Sequence, residues 1–218
     1  MKTDSQMHSD VMAELKWEPS IREAEIGVAA RDGVVTLTGH VESYAEKYAA
    51  ARAAERVSGV RPVADDLKVK LPNSRERSDT EVAHAVVNAL KWDIQVPADR
   101  IKAEVDNGWV MLEGDVEWQY QREAAAGAVR YLTGVKGVTN SITVKPKQAS
   151  PFEVSQKIKD ALRRNAELDS GRITVEAHDG RVTLRGTARS YAERMDAQRA
   201  AWAAPGVTNV DDRIAISL

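Results

Sequence analysis

A seven-residue pattern occurs three times along the chain. It reads Gly33-Val-Val-Thr-Leu-Thr-Gly39, then Gly108-Trp-Val-Met-Leu-Glu-Gly114, then Gly180-Arg-Val-Thr-Leu-Arg-Gly186. Each copy brackets Val and Leu between two Gly, with variable residues in the alternate places. Period-two alternation marks a strand with one buried face. Val35, Leu37, Val110, Leu112, Val182 and Leu184 are therefore expected to point inward. Asp32-Gly33, Asn107-Gly108 and Asp179-Gly180 lead into these strands. Such pairs favour a two-residue type I′ turn, because both central residues need positive φ. Each copy should thus be the second arm of a β-hairpin.

Similar neighbours surround each copy. Thr3-x-x-Gln6, Ser78-x-x-Glu81 and Ser150-x-x-Glu153 have the form of capping boxes, and Pro151 suits a first helical position. Met7, Val11 and Leu15 follow at i, i+4 and i+8, as do Val82, Val86 and Leu90, and Val154, Ile158 and Leu162. That spacing draws an apolar stripe along one helix face. Leu15 to Gly33, Leu90 to Gly108 and Leu162 to Gly180 all span 18 residues. The first strand of each hairpin turns Ile26, Val28 and Ala30 inward, or Ile101, Ala103 and Val105, or Ile173, Val175 and Ala177. An Ala-rich helix follows, opened by Ser43-Tyr-Ala-Glu46 and Ser190-Tyr-Ala-Glu193 as further capping boxes. It stops near Gly59, Gly134 and Gly206. A last strand buries Leu67, Val69 and Leu71, or Ile142 and Val144, or Ile214, Ile216 and Leu218.

The order is α-β-β-α-β, three times over. The fold class is α+β: three tandem αββαβ domains, each a three-stranded mixed sheet with two helices on one face. The β-α-β crossover makes the second and third strands parallel, with a right-handed connection. Domain boundaries fall at 1–71, 78–145 and 150–218. Proline-led polar linkers at 72–77 and 146–149 read as spacers between compact units. Units this small bury only about 60% of their unfolded surface, so contacts between them matter to stability.

The 218 residues carry a formal charge of −2 and no Cys. Disulfides, thiol catalysis and thiolate metal sites are excluded. Residues 7–71 sum to −2, 79–145 to −3 and 151–218 to +1. None has the basic excess of a nucleic-acid binder, so no nucleic-acid partner is expected. No stretch approaches the length of a membrane span. Met1 as native start implies the cytoplasm; an export signal removed upstream would instead imply the periplasm.

The Gly-x-Val-x-Leu-x-Gly strand, the Ser-Tyr-Ala-Glu opening of an Ala-rich helix and the closing Gly-Val-x-x-Val resemble the BON domain, three times over nearly the whole chain. The resemblance implies an αββαβ fold and a non-catalytic role in bacteria. That role covers phospholipid binding, osmotic and envelope stress and, in some relatives, potassium binding. Three copies, no visible export signal and no LysM-like remainder depart from the relatives' usual plans.

Reactive chemistry is sparse. His8, His40, His84 and His178 share no repeat position and no metal-ligand spacing, so no metal site, cofactor or catalytic residue is assigned. Asp65-Asp66 and Asp211-Asp212 offer hard oxygen ligands, but unit two has Asn140-Ser141 there and a solvated strand edge is the simpler reading. Trp17 and Trp92 follow the helix stripes, where packing at the helix end is expected.

The middle unit is richest in aromatics. Trp109 and Met111 occupy outward strand positions, and Trp118, Tyr120 and Arg122 bunch where the second helix starts. Large amphipathic rings beside Arg suit a lipid headgroup zone or a protein interface; packing between tandem units is the competing explanation. These five residues are the candidate lipid- or partner-binding set. Three functions compete: a phospholipid or envelope-partner binder, an oligomerising structural protein, and a potassium or small-ligand binder. Enzyme is the least supported class.

Overall fold

In this computed structural model the described residues are 2–146, 151–164 and 172–216. The first unit comprises α1 (Asp4–Trp17), β1 (Ile26–Arg31), β2 (Val34–Val41), α2 (Tyr44–Arg56) and β3 (Val63–Val69). The second comprises α3 (Asp79–Trp92), β4 (Ile101–Asp106), β5 (Trp109–Val116), α4 (Gln119–Arg130) and β6 (Gly137–Val144). The third comprises α5 (Pro151–Arg164), β7 (Ile173–His178), β8 (Arg181–Ala188), α6 (Tyr191–Trp202) and β9 (Asn209–Ile216).

The turn residues set the hairpins. Asp32, Asn107 and Asp179 adopt φ of 51°, 51° and 45°, and the Gly after each also has positive φ. Two residues thus reverse the chain, pairing Arg31 with Val34, Asp106 with Trp109 and His178 with Arg181. The closing Gly has a second reason. At Gly39, Gly114 and Gly186 a Cβ would lie 2.1, 2.1 and 1.8 Å from a backbone oxygen of the facing strand's start, so no side chain fits. Each sheet runs first–second–third strand, antiparallel then parallel, which is the expected mixed sheet.

Both helices of a unit cover one sheet face. Val35, Leu37, Val110, Leu112, Val182 and Leu184 are fully buried beneath Met7, Val11 and Leu15 or their counterparts and the Ala of the second helix. Ala103 is an exception among the inward residues. It pairs with Leu112 on the covered side, yet it is exposed, on an edge strand with a side chain too short to reach the core. The boxes at Thr3 and Ser78 form in full. Ser150 and Leu218 lie outside the described residues.

Two expectations need correcting. Ser43 and Ser190 do cap α2 and α6, accepting from Glu46 N and Glu193 N. The carboxylates, however, do not return to the cap. Glu46 is buried and accepts from Glu42 N at 2.9 Å and from Arg22 N at 2.8 Å, so it ties the helix to the loop before β1. Glu193, also buried, accepts from Arg189 N at 2.6 Å. Second, Trp17 and Trp92 do not pack: they are 82% and 88% exposed. Each stands two residues beyond the last stripe Leu, about 200° around the helix, and so points away from the sheet.

The linkers do not hold the units apart. The start of α2 rests on unit two, where Tyr44 packs against the core. The guanidinium of Arg130, at the end of α4, lies 3.5 Å over the Tyr48 ring. The start of α6 faces unit one, where Tyr191 and Arg194 line a groove with Glu55, Arg61, Pro62 and Val63. The start of α4 faces unit three, with Trp118, Tyr120 and Glu123 opposite Arg199, Ala200 and Trp202. Helix start faces helix end each time, one towards two, two towards three across the pocket, three towards one. Head-to-tail contacts of this kind close into a ring, here within one chain.

Candidate functional site

The five aromatic-set residues divide between three places. Trp109 and Met111 lie on the sheet face that no helix of their unit covers. Trp109 is 50% exposed and Met111 lies at the margin of exposure. The indole lies across Gly137, where a Cβ would come within 2.4 Å of the ring, and its Nε1 donates to Thr139 Oγ1 at 2.8 Å. The ring is therefore fixed flat on its own sheet, with one face presented outward.

Trp118 and Tyr120 stand at the start of α4. Their rings stack with centroids 6.5 Å apart and planes 29° from parallel. Trp118 has no acceptor with which to cap the helix. Gln121 substitutes in part: its Oε1 accepts from both Trp118 N and Glu117 N at 3.0 Å. Tyr120 is 53% exposed at the junction with unit three. This junction forms a pocket of about 780 Å³, with Trp118, Gln119, Tyr120 and Glu123 on one wall and Asp196, Arg199 and Trp202 among those on the other.

Arg122 does not join them. Its Nη2 donates to Asn140 O at 3.2 Å, and Asn140 Nδ2 returns a bond to Arg122 O at 2.7 Å. The same helix-to-strand tie recurs in the other units. Lys47 Nζ stands 3.5 Å from Asp65, and Arg194 Nε 2.7 Å from Asp212. Asp65, Asn140 and Asp212 share one register position opposite the buried Leu of the central strand. Each also accepts from the backbone N–H two residues on. One member of each acidic pair, Asp65 and Asp212, thus serves architecture, with the basic side chain of the helix as counter-charge. Among the described residues no group of three or more His, Asp or Glu could hold a metal ion.

Shifted titrations follow the same surface logic. A hydrogen bond from Arg100 holds Asp115 below the ordinary carboxylate range, and one from Ser78 does the same for Glu81. Burial raises Tyr44 and Tyr191, the tyrosines at two unit junctions, and raises Glu55 beside the second. Tyr191 and Glu55 share the groove between units three and one, where Arg61, Arg194 and Arg52 supply the counter-charge.

Sequence reasoning missed Trp202, Asp196 and Glu123. The signal was available: Trp202 is the only Trp of unit three and stands where Glu55 and Arg130 stand in the other units. No pattern within one unit says that such a position faces another unit.

The BON domain family matches residues 3–70, 78–146 and 152–217. The chain is 34% identical over 148 residues to osmotically-inducible protein Y of Escherichia coli (strain K12), covering 65% of this chain and 73% of that protein. Among solved structures it resembles the type III secretion structural protein CdsD of Chlamydia trachomatis, at 13% identity, a TM-score of 0.28 and coverage of 96% of this chain and 91% of that one. The PrgH periplasmic domain matches at 11% identity and a TM-score of 0.23, over 89% and 96% of the two chains. TM-scores this low do not establish a common fold with either. The three family matches, each lying over one αββαβ unit, show that this chain belongs to the BON domain family.

Proposed function

We propose that the chain is a non-catalytic binding protein of the osmotic or envelope stress response whose middle unit contacts a phospholipid surface. The observation carrying this is where folding leaves large apolar side chains exposed. Val87, Trp92, Ile94, Trp109, Met111, Tyr120 and Tyr131 all belong to unit two, against Trp17 and Val34 in unit one. Unit three contributes none among its described residues. Trp and Tyr favour the bilayer interface, where a ring sits in the apolar zone and its N–H or O–H stays wet. No helix among the described residues is long and apolar enough to cross a membrane, so contact would be peripheral.

Unit two carries net negative charge, so attraction to anionic headgroups does not drive this contact. Binding should therefore persist at high salt and depend on the rings. Flotation of the full chain with phospholipid vesicles tests it, at low and high ionic strength. Recovery with vesicles at both, reduced in Trp109→Thr/Met111→Thr and in Trp92→Ser/Ile94→Ser, supports the reading. No recovery at any salt, with light scattering showing self-association instead, would transfer the exposed surface to an oligomer interface.

A further inference from the structure

We propose that the pocket between units two and three binds an organic cation through a quaternary ammonium head. Its walls supply three aromatic rings: the stacked pair Trp118 and Tyr120 from α4, and half-buried Trp202 from the end of α6. They also supply two carboxylates and one guanidinium. Asp196, whose side chain is 16% exposed, is paired with Arg199. Among the described residues Glu123 receives only a neutral partner, the Gln119 amide at 3.2 Å. The Gln119 Oε1 is itself buried without a donor. The site is therefore aromatic with one uncompensated negative charge.

That combination selects among cations. A quaternary ammonium has no N–H to satisfy, is weakly hydrated and gains from the negative face of an aromatic ring. Potassium requires several converging oxygen ligands in exchange for its water, and here Asp196 is engaged by Arg199, which leaves Glu123 and the Gln119 Oε1 as too few to replace a hydration shell. The site also has a structural origin. Gln119 takes the place of Tyr44 and Tyr191, which line the other two junctions, and Trp118 takes the place of the capping Ser43 and Ser190. Loss of the seal and gain of the ring occur at adjacent positions in one unit. The volume, about 780 Å³, lies within the range of small-molecule sites.

This inference does not rest on the lipid reading: only Tyr120 is common to the pocket and to the exposed apolar set, and the open sheet face contributes nothing to the pocket. The test is calorimetric titration of the full chain with tetramethylammonium chloride, beside potassium chloride and tert-butanol as the neutral counterpart. Saturable tetramethylammonium binding is expected, with the alcohol about tenfold weaker and potassium without effect. Trp118→Ser should weaken it at least about tenfold while restoring a helix cap, and Glu123→Gln severalfold. Trp109→Thr should leave it unchanged. Choline and phosphocholine-headed vesicles then separate a free cation from a lipid headgroup, either being consistent with the pocket. Equal binding of tert-butanol, no saturable binding of tetramethylammonium, or unchanged binding in Trp118→Ser would overturn the proposal.

Discussion

Units two and three agree in the buried positions of their central strands and differ at several positions that face out. Val110 and Leu112 are buried as fully as Val182 and Leu184, and both hairpins turn on a residue with positive φ followed by Gly. On the opposite face of the same strand, Trp109 and Met111 stand where Arg181 and Thr183 stand. At the second helix, Trp118 stands where Ser190 caps. Packing and turn geometry allow few substitutes, because a lost methylene or an added Cβ is felt directly. Solvent-facing positions carry no such cost, so they are where one copy of a duplicated unit can acquire work of its own.

The largest test of this comparison truncates the shared interior. Leu37→Ala, Leu112→Ala and Leu184→Ala, all at fully buried sites, should each cost about 2–5 kcal/mol. Because the units close on one another, calorimetry of any one variant should shift the melting of more than the mutated unit. Three separable transitions, with only one moving, would break the ring description.

Next in size is the closing Gly. Gly114→Ala places a Cβ 2.1 Å from the Arg100 carbonyl oxygen at φ of 140°, and should destabilise by about 1–3 kcal/mol in chemical denaturation. Gly127→Ala is its counter-case. Gly127 sits inside α4, where an added methyl would meet nothing within 4 Å, so the better helix former should add up to about 1 kcal/mol.

Trp118→Ser sharpens the difference between the units themselves. Restoring the acceptor found in units one and three should raise stability by about 1 kcal/mol while emptying the pocket of its first ring. A loss of stability would mean that the indole packs more than it exposes. The smallest effect concerns Glu55. Burial raises its folded-state pKa, so the protonated form favours the fold: its contribution is present at low pH and is lost as pH rises through the folded value. Glu55→Gln should therefore raise the neutral-pH melting temperature, and that gain should shrink on acidification, so the acid limb steepens. Glu81 and Asp115 have the opposite sign, with pKa values lowered by hydrogen bonds, so their contributions are present above the unfolded value and lost on acidification.

The interior was legible in the sequence because its rules are local. Alternation in Gly108–Gly114, the Asn107-Gly108 turn and the Ser78–Glu81 box each depend on residues only a few places apart. Three copies of each made the reading redundant. What escaped it depends on partners distant in sequence. Glu46 fits a capping box on spacing alone, yet it reaches back 24 residues to Arg22. Arg122 clusters with the aromatics in sequence, yet its guanidinium turns to Asn140 in its own sheet. Trp17 and Trp92 follow an apolar stripe and so look like part of it, although two more residues carry the helix round to its far side. The Trp118–Trp202 pocket belongs to two units at once, and no period within either of them encodes it.

The head-to-tail seating of α2, α4 and α6 also bears on copy number. An open string of repeats can gain or lose a member at either end, with the terminal faces simply moving outward. Here every second helix already has a neighbour at both its start and its finish. A fourth copy inserted by duplication would find no vacant flank and would have to prise an existing pair apart. Three is thus the number at which this polypeptide uses up its own adhesive edges.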